Sequence, residues 1–290
     1  MSQAVWKDEE ARQRLEYWFN RFLTKITEPV ESCHVSTSHG DSHVLIGGPQ
    51  DAPPLVCLHA MRTGSAHLLS EMGPVLSRFR VIAPDMPGQS VRGPRARLSL
   101  NDDSHARWLF EVLDGLGIGQ ADVFGVSWGG FVARSAASHQ PDRFKRLALL
   151  VPAGIVNGSH WKGLTKMAGP MLKYRLSGSE QDLRKFLDPI LTTWDVDWAT
   201  YMGDSLKDMP MDPRIPPLAT DQQLRKLTMP VLALGAAEDI SFPGRELVAR
   251  ILSLVPTADG EVLAACKHCP PTTSEFREWL SDRLVDFFSV

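Results

Sequence analysis

Short apolar runs alternate with helical segments through most of the chain, and this alternation restricts the possible fold more than any other feature. The apolar runs are typical of strands that are buried on both faces of a sheet. They are Pro54–Leu58, Arg80–Pro84, Asp122–Val126, Leu147–Val151, Val231–Gly235 and Glu261–Ala265. Helical spacing of apolar residues occurs in Ala66–Leu76, Asn101–Leu116, Trp128–His139, Gly244–Leu254 and a last segment, Ser274–Phe288. The alternation predicts an α/β fold with a mostly parallel central sheet flanked by helices.

One long stretch interrupts this alternation. Residues 154–223 contain no strand pattern, only helical segments rich in tryptophan and methionine. An insertion of about 70 residues is too long for a simple connection between two strands. The sequence therefore predicts a core domain made of residues 1–153 and 224–290, with an inserted helical lid at 154–223. The lid covers the sheet edge, lies over a site at the strand ends, or does both.

The first residues of the chain predict a helix and a pair of strands. Within residues 1–28, apolar side chains recur at helical spacing over residues 5–26, which predicts an amphipathic helix. We expect this helix to pack on the body of the same domain, and an arm that forms a homodimer is the less favoured alternative. Val30–Ser36 and His43–Ile46 then predict two short strands around a turn at Gly40-Asp41.

Composition excludes several classes of protein. The 290 residues are 43% hydrophobic and 22% charged, with a net charge of −3, so no nucleic-acid partner is indicated. No apolar run reaches the roughly 18 residues of a membrane-spanning helix, so no membrane partner is expected. The charged N-terminus lacks the apolar run of a signal peptide. The expectation is a cytoplasmic protein.

Neither a disulfide framework nor a metal site is predicted. The sequence has only 4 cysteines, too few for a disulfide scaffold. Cys266 and Cys269 have the spacing of a redox or metal pair, but zinc needs a second pair of ligands and none lies nearby. Strand alternation divides another set of ligand-type residues between two faces. This set is Cys33, His34, His39, Asp41 and His43. We therefore expect no metal and no other cofactor.

The segment with the clearest chemical meaning is Gly125-x-Ser127-x-Gly129. It lies between an apolar strand and a helix, where a sharp turn lifts the serine hydroxyl off the sheet. The glycines leave room for tightly folded backbone, and the next helix presents free N–H groups to an oxyanion. This context makes Ser127 the candidate nucleophile. A glycine-rich turn with an incidental serine is the alternative.

A serine nucleophile needs a base, and the base needs an acid that orients it. Beyond the helix that follows Ser127, the remaining histidines are His160 and His268. His268 follows an apolar run at the carboxyl end of the last strand, where active sites of open parallel sheets lie, so it is the candidate base. The acid should follow the preceding strand, where Asp239 and Glu238 both occur. Asp239 is favoured, and Glu238 remains the alternative.

These landmarks, taken in order, resemble the α/β-hydrolase family, in particular its carboxylesterase-like branch with a helical lid. The resemblance runs from about Val44 to Phe288, with the lid and the N-terminal helix poorly matched. The landmarks are His59-Ala60-Met61, Asp85-x-x-Gly88, Gly125-x-Ser127-x-Gly129-Gly130, Asp239-x-x-x-Pro243 and His268. The resemblance implies the α/β-hydrolase fold.

The same resemblance implies an activity and a set of roles. It implies Ser127 as the nucleophile, His268 as the base and Asp239 (or Glu238) as the acid, with the oxyanion hole at the backbone N–H groups of Met61 and Trp128. The implied reaction is hydrolysis of a small or medium apolar carboxylic ester through an acyl-enzyme. The fold also accommodates C–C bond hydrolysis, lactone hydrolysis, cofactor-free perhydrolysis and low-turnover ligand sensing with similar residues, so these alternatives stay open.

Two positions depart from the family pattern. Ala60 occupies a position where glycine is usual, and alanine takes unusual backbone angles only at a cost of roughly 1–2 kcal/mol. We therefore expect an altered oxyanion loop, in which Arg62 adds a cation near the site. Lys267 stands where glycine usually precedes the base histidine.

Large apolar residues of the lid are candidates for an acyl pocket, because methionine and aromatic side chains commonly line small-molecule sites. The candidates are Trp161, Met167, Met171, Trp194 and Trp198. The alternative is that these side chains pack only against each other and the sheet.

Overall fold

The protein is described by a computed structural model that covers residues 5–212 and 214–289, without the side chains of residues 160 and 162. In this part of the chain, one sheet of 8 strands forms the centre. The strands are β1 (Val30–Thr37), β2 (Gly40–Gly47), β3 (Pro54–Leu58), β4 (Arg80–Pro84), β5 (Ala121–Val126), β6 (Phe144–Leu150), β7 (Val231–Ala236) and β8 (Ala258–Leu263).

The order of strands across the sheet is β1-β2-β4-β3-β5-β6-β7-β8. Strand β2 pairs antiparallel with both β1 and β4, and the other neighbouring strands pair in parallel. The mostly parallel sheet predicted from the sequence is therefore confirmed. Strands β3 and β5 are neighbours, with Leu58 opposite Gly125, so the loops that follow these two strands lie side by side.

Helices cover both faces of the sheet, and further helices form the inserted segment. They are α1 (Glu9–Leu23), α2 (Ser65–Leu69), α3 (Gly73–Leu76), α4 (Ser104–Gly115), α5 (Trp128–His139), α6 (His160–Gly163), α7 (Gly169–Ser177), α8 (Glu180–Leu187), α9 (Val196–Asp208), α10 (Asp221–Arg225), α11 (Gly244–Leu254) and α12 (Ser274–Ser289). Alternate residues of a strand enter two apolar clusters, as the period of two requires: Val56 and Leu58 of β3 pack with α4 and α5, whereas Leu55 packs with α1 and α12.

Several predicted elements have other bounds in the structure, and three of them show why. The helix predicted over Ala66–Leu76 is divided into α2 and α3, with Pro74 in the first turn of α3, because proline has no N–H to continue a helix. The helix expected to begin at Asn101 begins at Ser104. The strand expected over Glu261–Ala265 is Ala258–Leu263, and Ala265 follows it in the left-handed region with φ of 48°.

The N-terminal helix α1 packs against the sheet and also contacts the inserted helical segment. The apolar face of α1 is buried with the β3 side chains of one cluster. Arg14 of α1 forms a two-point ion pair with Asp208 of α9, with N···O distances of 2.8 and 2.7 Å. The indole N–H of Trp18 donates to Asp204 at 2.8 Å. Residues 1–4 of the predicted segment lie outside the described residues.

The inserted segment is helical, and it has an apolar cluster of its own. Its buried members are Tyr174, Leu183, Phe186, Leu187, Ile190, Leu191, Ala199 and Leu206. The described residues of the segment contribute to β pairing through one bridge, which joins Leu191 to Cys269 beyond β8. The inserted segment therefore packs around its own core and also contacts the loop after the last strand.

The carboxylate of Asp85, at the end of β4, connects three parts of the core. It accepts hydrogen bonds from the Ser65 N–H at 2.9 Å, the Ser65 hydroxyl at 2.8 Å and His43 Nδ1 at 2.6 Å. Burial alone would raise the pKa of Asp85, but the hydrogen bond from His43 and the nearby His59 lower it below its ordinary value. These contacts give Asp85 a structural role, in which it joins β4 to β2 and α2.

We expect Asp85→Asn to lower the free energy of unfolding by about 2–4 kcal/mol, because its amide NH₂ would face donors that need an acceptor. Urea denaturation at neutral pH measures the change. Asp51→Asn, at an exposed loop position, is the control and should leave stability within about 0.5 kcal/mol. Equal stability of the two variants would contradict a structural role for the Asp85 contacts.

Candidate active site

Ser127 occupies a strained turn between β5 and α5, with φ of 50° and ψ of −108°. Glycines on either side make this turn sterically feasible. A Cβ on Gly129 would lie 2.1 Å from the Leu58 carbonyl oxygen, and one on Gly125 would lie 2.6 Å from the Gly129 carbonyl oxygen. Since real atoms do not approach so closely, only glycine fits at both positions. The serine hydroxyl is thereby presented at the carboxyl edge of the sheet.

The structure brings Ser127, His268 and Asp239 into one hydrogen-bonded row. Ser127 Oγ lies 3.0 Å from His268 Nε2, and His268 Nδ1 lies 2.7 Å from Asp239 Oδ2. An ionised carboxylate can only accept, so Nδ1 carries the proton and donates to Asp239. The neutral ring then presents the lone pair of Nε2 to the serine hydroxyl, which is the tautomer that a general base needs.

The electrostatics of the pair favour a charged imidazolium beside a charged carboxylate. Burial lowers the pKa of His268, but the charge and hydrogen bond of Asp239 outweigh it and raise the pKa above the ordinary 6.5. Burial likewise raises the pKa of Asp239, and His268 together with two backbone N–H groups brings it below its ordinary value. Those donors are Ser241 and Phe242, at 2.7 and 3.0 Å from Oδ1.

Glu238, the other candidate for the acid, lies outside this row. Glu238 is exposed, and its backbone N–H donates to the Cys266 carbonyl at 2.8 Å. The side chain of His160 lies outside the described residues. The sequence motifs did not predict Ser241 and Phe242 as partners of the acid. An aspartate that accepts from N–H groups two and three residues later is a common turn pattern, so Asp239-x-Ser241-Phe242 was a usable signal.

The loop after β3, which contains Met61, begins close to the turn of Ser127: a Cβ on Gly129 would lie 2.1 Å from the Leu58 carbonyl oxygen and 2.7 Å from the His59 carbonyl oxygen. Met61 follows His59 and Ala60, and the Ala60 carbonyl accepts from His59 Nδ1 at 2.8 Å and from the Thr63 hydroxyl at 2.8 Å. His59 Nε2 accepts from the Met86 N–H at 2.9 Å. The buried His59 therefore braces this loop against the loop after β4. Trp128 is the first residue of α5, where backbone N–H groups have no partner within the helix.

The backbone strain expected at Ala60 lies at Arg62 instead. Arg62 has φ of 57°, and Ala60 is not among the residues with positive φ. The Arg62 guanidinium donates to the carbonyls of Ser205 at 3.1 Å and Pro210 at 2.8 Å, and the Tyr201 hydroxyl donates to the Arg62 carbonyl. The cation expected near the site thus contacts the carboxyl end of α9, whose partial negative charge favours it.

The five pocket candidates occupy different surroundings. Met167 and Met171 pack against the lid cluster. Trp161 is exposed, and Trp194 is partly exposed beneath the Arg184 guanidinium, 4.2 Å from its ring centre. Trp198 contacts Phe22 of α1 and donates its indole N–H to Glu71 at 2.8 Å. A common acyl pocket stays a prediction.

His43, one of the ligand-type residues around the β1–β2 turn, is used in hydrogen bonds. His43 contacts Asp85 through Nδ1 and Ser32 through Nε2, at 2.6 and 3.1 Å. Across the described residues, no three histidine, cysteine, aspartate or glutamate side chains converge as metal ligands would.

None of the described helices combines the length and the apolar character needed to cross a membrane.

Comparison with known proteins identifies the family of this fold and site. Residues 53–272 match the α/β hydrolase fold family. The chain belongs to this family. It is 27% identical over 278 residues to an uncharacterized carboxylesterase, nap, of Bacillus subtilis, covering 94% of this chain and 91% of the relative. It is 28% identical over 270 residues to carboxylesterase YbfK of the same organism, covering 89% and 88%.

A solved structure shows the same architecture. The crystal structure of naproxen esterase (carboxylesterase NP) from Bacillus subtilis superposes with a TM-score of 0.84 at 25% identity, covering 97% of this chain and 99% of that one. The resemblance stated from the sequence motifs and the α/β-hydrolase fold class are therefore confirmed.

We expect activity to fall at low pH, because His268 must be neutral to accept the serine proton. Below the pKa of His268, kcat/KM should fall about tenfold per pH unit, with a midpoint above the ordinary 6.5. An NMR titration of the His268 ring in Ser127→Ala should give a raised midpoint, and the added change Asp239→Asn should move it to lower pH. A titration midpoint that stays the same in Asp239→Asn would contradict the pairing of His268 with Asp239.

Proposed function

We propose that this α/β hydrolase cleaves carboxylic esters with small or medium apolar acyl groups through an acyl-enzyme on Ser127. The observation that carries the proposal is the row Ser127–His268–Asp239, with distances of 3.0 and 2.7 Å and a proton placed on His268 Nδ1. Carboxylesterase relatives that match about nine-tenths of the chain support hydrolysis of ester bonds.

In the proposed acylation step, Ser127 Oγ attacks the ester carbonyl carbon while His268 Nε2 takes the hydroxyl proton. Asp239 stabilises the imidazolium that forms. The backbone N–H groups of Met61 and Trp128 donate to the oxyanion of the tetrahedral intermediate. The intermediate collapses, the C–O bond of the ester breaks, and the imidazolium returns its proton to the leaving alcohol.

Deacylation uses the same groups with water in place of the alcohol. His268 Nε2 takes a proton from water, and the resulting hydroxide attacks the acyl carbon. Collapse releases the carboxylic acid and returns the proton to Ser127 Oγ, so the enzyme ends as it began. The helical segment 154–223 acts in this proposal as a lid over the carboxyl edge of the sheet, and it supplies apolar contacts to the acyl chain.

Single substitutions test the roles assigned to Ser127 and Asp239. We expect Ser127→Ala to lower kcat/KM for an aryl ester by a factor on the order of 10⁴ or more, and Asp239→Asn by about 10³–10⁴. Glu238→Gln is the matched control at the neighbouring carboxylate and should stay within about threefold of wild type. Steady-state hydrolysis measures all three.

Two further outcomes decide between enzyme and sensor and test the nucleophile. A fluorophosphonate should label Ser127, and a label on another residue would overturn the assignment. Wild-type protein should complete many turnovers per active site, whereas a sensor would stop after about one.

The acyl chain-length dependence tests the apolar pocket. Each buried methylene contributes up to about 0.8 kcal/mol, so kcat/KM should rise by up to about fourfold per methylene from acetyl esters until the pocket is full. Trp194→Ala and Trp198→Ala should flatten the rise if these side chains line the pocket, and the exposed Trp161 serves as a comparison through Trp161→Ala. A flat profile from acetyl to octanoyl esters, unchanged in these variants, would contradict an acyl pocket in the lid.

A further inference from the structure

The loop that carries His268 is hydrogen-bonded to the lid. Residues 188–193, which are part of the connection between α8 and α9, lie beside residues 266–272. The Cys269 N–H donates to the Ile190 carbonyl at 2.9 Å, and the Thr192 N–H donates to the Cys269 carbonyl at 3.1 Å. These bonds form the parallel bridge between Leu191 and Cys269. The backbone of the loop that bears the candidate base is thus hydrogen-bonded to a segment that is distant in the chain.

Within this contact, the hydroxyl of Thr192 bridges the two residues that flank His268. It accepts a hydrogen bond from the Lys267 N–H at 2.9 Å and donates one to the Cys269 carbonyl at 2.7 Å. A hydroxyl has one proton and two lone pairs, so both bonds form together with the correct polarity. One side chain of the lid therefore fixes the backbone immediately before and after the base.

The His268 loop has a structural need for such restraints. Ala265 begins it in the left-handed region with φ of 48°, a conformation that non-glycine residues keep only where the surroundings enforce it. The lid supplies further bonds on both sides of Thr192. Lys267 Nζ donates to the Asp188 carbonyl at 2.5 Å, and the Thr272 N–H donates to Thr193 Oγ1 at 2.9 Å.

We propose that Thr192 is a positioning residue for His268, so that the lid sets the geometry of the catalytic base. This inference rests on the proposed function, in which His268 carries the proton. The ring must keep two contacts at once, at 3.0 Å to Ser127 and 2.7 Å to Asp239. A misplacement of about 1 Å at such a site costs up to about 10²-fold in rate. Thr192 acts through the backbone and touches no reacting atom.

Three variants test the role of the hydroxyl. Thr192→Val removes it and keeps the shape of the side chain, and Thr192→Ser retains it. Thr200→Val is the matched control, since Thr200 is exposed and its hydroxyl bonds only to Val196 of its own helix, at 2.7 Å. We expect Thr192→Val to lower kcat about 10–100-fold with KM within about threefold. Thr192→Ser and Thr200→Val should stay within about threefold of wild type.

A loss in Thr192→Ser equal to that in Thr192→Val would overturn the proposal, as would wild-type kcat in Thr192→Val or an equal loss in Thr200→Val. The Tm of each variant is measured alongside, because a merely structural role would lower Tm together with activity and would raise KM. If Thr192→Val does not fold, Thr192→Ala removes the same hydroxyl without adding bulk, and the same results are expected.

A second readout does not depend on turnover. The proton between His268 Nδ1 and Asp239 gives a low-field ¹H NMR resonance, which we expect to broaden in Thr192→Val and to persist in Thr192→Ser and Thr200→Val. An unchanged resonance in Thr192→Val would overturn the positioning role even if no ester were cleaved. Failure of the proposed function would give a result distinct from failure of the positioning role. The wild type would not hydrolyse the ester, or hydrolysis would survive Ser127→Ala.

Discussion

The strained turn at Ser127 is the constraint on which the arrangement of the site depends. A non-glycine residue at φ of 50° costs roughly 1–3 kcal/mol, so its surroundings must fix it. Three hydrogen bonds of the Ser127 backbone do so. The Ser127 N–H donates to the Leu150 carbonyl at 2.9 Å, and its carbonyl accepts from Ala153 at 3.0 Å and from Phe131 at 3.1 Å. The bare backbone of Gly129 then allows α5 to approach the end of β3.

Two buried aspartates illustrate how the same side chain takes different tasks. Asp85 accepts from Ser65 and His43 inside the core, where it joins β4, α2 and β2. Asp239 accepts from two backbone N–H groups on one oxygen and from His268 on the other. Both have a pKa below the ordinary value although burial opposes it. Each histidine partner also contacts a serine, Ser32 for His43 and Ser127 for His268. Of these two serines, Ser127 has the positive φ of the strained turn and Ser32 does not.

The inserted helices contact the core at both flanks of the candidate site. At one flank the carboxyl end of α9 accepts hydrogen bonds from Arg62, the residue after Met61. At the other flank Thr192 bridges the residues around His268. The N-terminal helix α1 then pairs with α9 through Arg14 and Asp208. The insertion is therefore hydrogen-bonded to both loops that flank the candidate site.

The sequence by itself determined most of the sheet strands, the turn at Ser127 and, apart from the choice of acid, the residues that meet there. These features depend on local patterns: apolar runs of strand length, glycines around a serine, and a histidine or aspartate just after a strand. The tertiary structure decided between Asp239 and Glu238 as the partner of His268, since neighbouring loop positions differ only in which way the backbone turns them. It also moved the expected strain from Ala60 to Arg62 and brought Thr192 beside His268. Such contacts join residues distant in the chain, and they depend on how the helices pack, which no local pattern records.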